Sequence, residues 1–212
     1  MSPNALPLPQ RLALSYAPRS SRDAVLTLML LDQRLASILR DKGEVMIAQI
    51  KLAWWRDRLG ENPANWPKGE PLLERLKLGK TDPAKFISLV DGWERLLDEQ
   101  LTPIALAEFA GGRAKAWAAL CASNSHEGAV MKAANEWALL DLAISLGEGE
   151  EAELVQAQFP SPEAPLSSIP KALRPLCVLL GLARRAVRNQ SGELLNGPGA
   201  AIAALRIGLL GR

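Results

Sequence analysis

Residues 44–60 read EVMIAQIKLAWWRDRLG and place two tryptophans, Trp54 and Trp55, side by side within a helical pattern. Successive residues of an α-helix lie about 100° apart around its axis, so the two indole rings cannot share one narrow stripe. The helix must therefore be covered over a wide arc, or it must present one indole to a cavity, a ligand or a partner.

The remainder of the chain is helical in pattern as well. Apolar residues recur at helical spacing, and no convincing alternation of period two appears. The SSRD sequence at 20–23 has the form of a capping box that opens a long helix, and Gly43 interrupts the pattern after it. Gly111 and Gly112 are expected to loosen the middle of a later helix. The acidic run at 147–153 and the proline-rich stretch at 159–170 are predicted to be loops. The predicted helices cover about residues 20–41, 44–59, 83–100, 103–122, 125–146, 175–189 and 198–210, with a short helix around 73–76.

Composition points to one all-α domain spanning residues 1–212, with enough apolar content (48%) for a substantial core. The 25 basic and 23 acidic residues give a net charge of only +2, which argues against a dedicated nucleic-acid binder. The first ten residues lack the layout of a signal peptide, and the apolar runs are too short to span a bilayer. We therefore expect a cytoplasmic protein. Cys121 and Cys177 lie in apolar helical patterns and are predicted to be buried free thiols.

Two clusters of charge have simple structural interpretations. Arg184, Arg185 and Arg188 occupy the last turns of a helix, where cations interact favourably with the macrodipole, and a phosphate site is the alternative. An acidic cluster shares one helical face opposite the apolar residues, so it is predicted to face solvent rather than to bind a metal. Its members are Asp91, Glu94 and Asp98.

Asp32 and Asp141 do not fit such an interpretation. Each falls within the apolar stripe of its helix, and a buried carboxylate is costly unless it is paired or binds a cation. An ion pair to a core-facing cation, such as Lys51 or Arg113, is one interpretation. The other is that both acids line an interior cavity. His126 falls near the same face at the start of its helix and is predicted to be structural.

Several segments together resemble the squalene/phytoene synthase family. The tandem-tryptophan helix, with its Lys-Leu-x-Trp-Trp-Arg-Asp sequence at 51–57, is the specific element of this resemblance, and the other segments are less distinctive. The likeness covers most of the chain. The segments are RDAVLTLMLLDQRLASIL at 22–39, GEVMIAQIKLAWWRDRLGENPANWPKGEPLLERL at 43–76, LVDGWERLLDEQLTPIALAEFAGGRAKAW at 89–117, PKALRPLCVLLGLARRAV at 170–187 and AAIAALRIGLLGR at 200–212.

The resemblance implies an isoprenoid-synthase-like helical bundle around an apolar cavity. Active members of the family condense two prenyl diphosphates, and two Asp-rich motifs hold Mg²⁺ against the diphosphates. In this sequence the first motif is reduced to Asp32, followed by QRLA, and the second to Asp141, with Ser145 at the i+4 position. The chain is also shorter than the active enzymes. These departures are similar to those of a non-catalytic branch that contains the mitochondrial complex I assembly factor and its bacterial relatives.

The resemblance therefore leads to a first hypothesis: a protein of this family that has lost the condensation chemistry. It would need no cofactor, would bind a prenyl or lipid molecule or serve as scaffold, and would act through a protein partner or a peripheral membrane contact. The second hypothesis is a divergent prenyl diphosphate transferase, in which Asp32 and Asp141 hold Mg²⁺ while Arg34, Lys51 or Arg113 bind diphosphate. A helical interaction module that exposes Trp54 or Trp55 in an apolar surface patch is the third.

Overall fold

A computed structural model describes residues 3–41 and 44–211, and Gly43, the predicted helix breaker, lies outside them. Within these residues the chain forms α-helices joined by short 3-10 turns and loops, without any β-strand, so the all-α prediction is confirmed. The α-helices of this part of the chain are α1 (Leu8–Ser15), α2 (Arg19–Arg40), α3 (Val45–Gly60), α4 (Pro71–Leu78), α5 (Ile87–Glu94), α6 (Pro103–Ala118), α7 (Glu127–Leu146), α8 (Glu150–Gln156), α9 (Arg174–Arg188) and α10 (Gly197–Leu210).

Helices α6, α7 and α9 lie at the centre of the bundle. Helix α6 packs between α5 and α7, and α9 packs between α7 and α10. Helix α2 contacts α3, α4 and α5, while α1 lies against α2 and α9. Helix α7 is apolar around most of its circumference and buries Val130, Trp137 and Leu140 among its residues, as expected of a helix with neighbours on several sides. Side chains of α2, α6 and α7 meet inside the bundle through hydrogen bonds.

Helices α5 and α6 approach each other closely at two glycines. A Cβ atom on Gly112 would clash with the carbonyl oxygen of Ser88 and would lie 3.2 Å from the Cα of Gly92. Gly111 has open space at the equivalent position. Helix α6 is continuous through both residues, so the expected loosening is wrong, because close packing against α5 compensates for the low helix propensity of glycine.

The predicted capping box at 20–23 is also wrong. Helix α2 begins one residue earlier, at Arg19 after Pro18, and none of its side chains caps the helix start. The Ser21 hydroxyl instead donates to the carbonyl of Ala172, at 2.7 Å, and so joins α2 to the turn before α9.

Three further differences concern helix limits. Helix α1 was not predicted; it begins after Pro7 and carries Pro9 in its first turn, where the missing N–H costs no hydrogen bond. The helix predicted over 83–100 is shorter, with 3-10 turns on both sides of α5. The acidic run contains α8 rather than only a loop, because acidic residues in a first turn interact favourably with the helix dipole.

Across residues 3–41 and 44–211, none of the helices combines the length and the apolar character that crossing a bilayer requires.

Candidate functional site

The tandem tryptophans lie on different sides of α3. Trp55 is buried, with 3% of its surface exposed, whereas Trp54 is 37% exposed, and the two rings meet edge to face with centroids 5.1 Å apart. Both line an open cleft of about 440 Å³ between α2 and α3. Trp55 therefore packs in the core, and Trp54 lies at the surface beside this cleft.

Arg34 and Lys51 line this same cleft and are separated from the inward carboxylates. Arg34 pairs with Glu70 at 2.8 Å, and Lys51 lies 3.5 Å from Asp41. Both cations are more than two-fifths exposed, so these are solvent-screened pairs. The prediction that Lys51 faces the core is wrong, because α3 turns that residue toward solvent.

Asp32 and Asp141 both form ion pairs with Arg113 of α6. The guanidinium donates from Nη2 to Asp32 Oδ2 at 2.6 Å and from Nη1 to Asp141 Oδ2 at 2.9 Å. The side chains of Arg113 and Asp32 are 2% and 7% exposed, and that of Asp141 is 27% exposed. One arginine therefore bridges the two carboxylates that the sequence placed inside the bundle.

Aromatic rings surround this cluster. The guanidinium carbon of Arg113 lies 3.9 Å from the centroid of Trp137, a cation–π contact, and 5.5 Å from the rings of Trp93 and Phe109. The indole N–H of Trp93 donates to the second oxygen of Asp32 at 2.8 Å. Both oxygens of Asp32 are thus hydrogen-bonded, as a buried carboxylate requires. We call these five residues, Asp32, Trp93, Arg113, Trp137 and Asp141, the arginine cluster.

Burial and neighbouring charges shift the pKa values of Arg113 and Asp141. Burial acts to lower the pKa of Arg113, but Asp32 and Asp141 outweigh it and raise that pKa, so the guanidinium stays charged. Burial raises the pKa of the Asp141 carboxyl, and the negative charge of Asp32 adds to this effect, while Arg113 opposes it. The Asp141 carboxyl, with its raised pKa, is therefore less readily ionised than an ordinary aspartate.

An open cleft of about 380 Å³ lies beside the arginine cluster. Its volume falls within the range of about 300–1,000 Å³ typical of small-molecule sites. Trp93, Arg113 and Asp141 form part of its wall, α1 contributes Pro9 and Gln10, and Pro7 lines it just before α1. The rest of the wall is mainly apolar, with a few polar side chains at its edge; these residues are Gln33, Ala36, Leu39, Arg40, Leu96, Phe109, Leu142, Ser145, Leu146 and Leu194.

A second buried ion pair was missed by reasoning from the sequence. Glu136 of α7 accepts two hydrogen bonds from Arg184 of α9, at 2.6 and 2.7 Å, and one from the backbone N–H of Ala164. Arg184 also donates to the carbonyl of Ala164, so the pair holds the proline-rich loop against the bundle. The available signal was that α7 is apolar around most of its circumference, which leaves little solvent-facing surface for a charged residue such as Glu136.

The remaining candidates lie apart from the cleft. Asp91 and Glu94 accept hydrogen bonds from Arg56 of α3, at 2.7 Å for Asp91. His126 is exposed. Arg184 is already paired with Glu136, and Arg188 lies 3.6 Å from Glu163, so these arginines are not free to bind a phosphate.

Within the part of the chain that the structure describes, no three His, Cys, Asp or Glu side chains come close enough to form a candidate metal site.

Comparisons of the chain with protein-family models, with curated proteins and with solved structures found no match.

Proposed function

We propose that the protein is a squalene/phytoene-synthase-like protein without condensation chemistry, which holds a prenyl or lipid chain in the cleft beside the arginine cluster. The observation that carries the proposal is the bridging of Asp32 and Asp141 by Arg113. A buried guanidinium is already paired with both of the carboxylates that the resemblance assigns to metal binding. Arg113 also forms part of the wall of an apolar cleft that is large enough for a small molecule.

The carboxylates of Asp32 and Asp141 are poor ligands for Mg²⁺ in this arrangement. Magnesium requires near-octahedral oxygen ligands, and it is usually bound by carboxylates that are free to coordinate it. Both Asp32 oxygens already accept hydrogen bonds, one from Trp93 and one from Arg113. A transferase of this family would need Arg113 to release both acids, which would leave a buried cation unpaired. The alternative of a Mg²⁺-dependent prenyl diphosphate transferase is therefore the weaker proposal.

The surface of α3 supports the further proposal that the protein resides in the cytoplasm and contacts a membrane peripherally. Met46 and Ile50 are 65% and 59% exposed, and with Trp54 they form a stripe at i, i+4 and i+8. Lys51 projects beside this stripe. Apolar residues, tryptophan and a neighbouring cation are the composition of a helix that lies in a membrane interface.

The absence of condensation chemistry is tested by incubating the purified protein with farnesyl or geranylgeranyl diphosphate and Mg²⁺. We expect no condensation product by mass spectrometry. Product formation that is abolished in both Asp32→Asn and Asp141→Asn would overturn the proposal in favour of the transferase.

Chain binding is tested with radiolabelled geranylgeraniol, a prenyl chain with an uncharged end. We expect saturable binding that Ser145→Trp weakens, because Ser145 lines the cleft and an indole there would fill it. Ser125→Trp is the matched control, since Ser125 is exposed and lies outside the cleft. Equal binding by the two variants would place the chain elsewhere.

Membrane contact is tested by co-sedimentation with vesicles of phosphatidylcholine and phosphatidylglycerol. Ile50→Glu should release the protein from vesicles, whereas Leu78→Glu, at an exposed apolar residue on α4, should not. The same loss in both variants would show that α3 has no special role.

A further inference from the structure

The cleft between α2 and α3 has a wall that is partly apolar and partly charged. Its volume of about 440 Å³ falls within the range of about 300–1,000 Å³ typical of small-molecule sites. Its apolar residues are Ile38, Ile50, Trp54 and Trp55. Ile50 is 59% exposed and Trp54 is 37% exposed, so a molecule in the cleft can contact both an aliphatic side chain and an indole ring.

The charged residues of the cleft are balanced in sign. The cations are Arg34 and Lys51, and the carboxylates are Asp41 and Glu70, so their formal charges cancel. A ligand of one sign would be attracted by one pair of charges and repelled by the other. A zwitterion, which carries both signs, matches the cleft.

Both ion pairs of the cleft leave room for a ligand. Lys51 Nζ lies 3.5 Å from Asp41 Oδ2, longer than an ordinary hydrogen bond of about 2.7–3.2 Å, and the two side chains are 47% and 67% exposed. An exposed pair of this kind is weak, so a ligand can replace either partner at low cost. The guanidinium of Arg34 contacts Glu70 through one terminal nitrogen, at 2.8 Å, and carries further N–H groups that can donate to an anion.

The cleft adjoins the exposed apolar stripe of α3. Ile50 and Trp54 belong both to this stripe, which begins at Met46, and to the wall of the cleft. A lipid whose chains contact the stripe would therefore bring its headgroup close to the cleft. The headgroup of a zwitterionic phospholipid has the pair of charges that the cleft matches, a phosphate diester and an ammonium.

Two common forms of the ammonium differ in how they are recognised. A primary ammonium donates hydrogen bonds to carboxylates, whereas a trimethylammonium donates none and depends on the faces of several aromatic rings. Asp41 offers an exposed carboxylate. Of the two indoles in the wall, Trp54 is partly exposed but Trp55 is only 3% exposed, so the cleft does not form an aromatic cage. These features favour the primary ammonium of ethanolamine over choline.

We propose that the cleft between α2 and α3 binds the phosphoethanolamine headgroup of a membrane phospholipid. The phosphate lies between Arg34 and Lys51, and the ammonium lies at Asp41. This inference rests on the peripheral membrane contact in the proposed function, because it names the lipid that the same surface recognises.

The experiment titrates the purified full-length protein with dihexanoyl phospholipids at concentrations at which they remain monomeric. Calorimetry compares the phosphatidylethanolamine, the phosphatidylcholine and the phosphatidylglycerol. Monomeric lipids separate headgroup recognition from any effect of lipid composition on the packing of a bilayer. We expect the phosphatidylethanolamine to bind about tenfold more tightly than the other two, because its ammonium makes a charge-assisted hydrogen bond to a carboxylate.

Asp41→Asn tests the ammonium position. We expect it to lower affinity for the phosphatidylethanolamine about tenfold and to remove the preference over phosphatidylcholine. Asp98→Asn is the matched control: Asp98 is 49% exposed, forms a similarly loose pair with Arg95 at 3.9 Å, and lies outside the cleft. The control should keep both the affinity and the preference.

Lys51→Met tests the phosphate position, because it keeps an unbranched side chain and removes the cation. We expect affinity for all three lipids to fall several-fold while the preference for ethanolamine over choline remains, since each lipid contains the phosphate. Lys77→Met is the control, since Lys77 is exposed on α4 and lies outside the cleft. It should bind all three lipids as the wild-type protein does.

The outcomes separate this inference from the proposed membrane contact, which co-sedimentation with vesicles measures on the same protein. Equal or tighter binding of the phosphatidylcholine or the phosphatidylglycerol would overturn the inference. Equal losses in Asp41→Asn and Asp98→Asn would overturn it as well. Binding to vesicles without binding of any monomeric lipid would overturn the inference and leave the membrane contact standing. Failure to bind vesicles of any composition, as well as the monomeric lipids, would overturn both.

Discussion

Arg113 connects three helices through charge, since it lies on α6 and pairs with acids on α2 and α7. Replacing it with leucine would leave Asp32 buried beside an unoccupied space, so we expect a loss of about 3–5 kcal/mol in the free energy of unfolding. Arg113→Lys should lose less, because it keeps the charge but cannot bridge both acids while it stacks on Trp137. Urea unfolding followed by circular dichroism measures both values.

The control for Arg113 is Arg95→Leu. Arg95 pairs with Glu108 at 2.7 Å but is 46% exposed, so the expected loss is at most about 1 kcal/mol. Comparable losses at the two positions would contradict the assignment of Arg113 as the central cation of the interior.

Asp141 is expected to give stability a pH dependence. Its carboxyl has a raised pKa in the folded protein, because of burial first and of Asp32 second, so it keeps its proton to a higher pH than in the unfolded chain. Its contribution to stability is therefore complete below the ordinary value of 3.8 and is lost as the pH rises through the folded-state pKa. Asp141→Asn removes this titration and retains an oxygen for Arg113. Relative to the variant, the wild-type protein should lose free energy of unfolding as the pH rises above 3.8. If the free energy of unfolding of the wild-type protein instead rose with pH relative to that of Asp141→Asn, the predicted direction would be wrong.

At the scale of elements, the close contact between α5 and α6 depends on Gly112 and not on its neighbour Gly111. Gly112→Ala should destabilise the protein by several kcal/mol, because its Cβ would meet the backbone of Ser88 on a neighbouring helix that cannot move independently. Gly111→Ala is the matched control and should raise stability by up to about 1 kcal/mol, since its Cβ enters open space and alanine has the higher helix propensity. Thermal unfolding of the two variants provides the measurement. A similar effect of both substitutions would contradict the close approach of the helices.

At the scale of the whole molecule, the two cysteines report on the integrity of the bundle. Both are free thiols, Cys177 fully buried in α9 and Cys121 partly exposed after α6. Burial raises the pKa of the Cys177 thiol to about 11, so this group is both inaccessible and protonated at neutral pH. We expect a thiol reagent to modify Cys121 in the folded protein and Cys177 only after unfolding. Cys121→Ser should abolish the first reaction. Two equally fast reactions without denaturant would contradict the packing of α9.

The sequence alone determined what depends on local periodicity. Helical spacing identified the helices around both inward acids, and it showed that the two tryptophans must point apart. It also named Arg113 as one of two cations that could neutralise Asp32. Helix limits were less predictable where capping and tertiary contacts compete, as at Ser21, whose hydroxyl bonds to Ala172 rather than capping α2.

Only the tertiary structure decided which groups meet. Asp32 and Arg113 are separated by 81 residues along the chain, and periodicity within single helices gives no information about such a pairing. The same reason accounts for Glu136 with Arg184, and for the different surroundings of Gly111 and Gly112. The position of Gln10 against the cleft likewise depends on how α1 docks on the bundle. A buried polar group needs a hydrogen-bond partner, but the packing of whole helices determines which partner lies within reach.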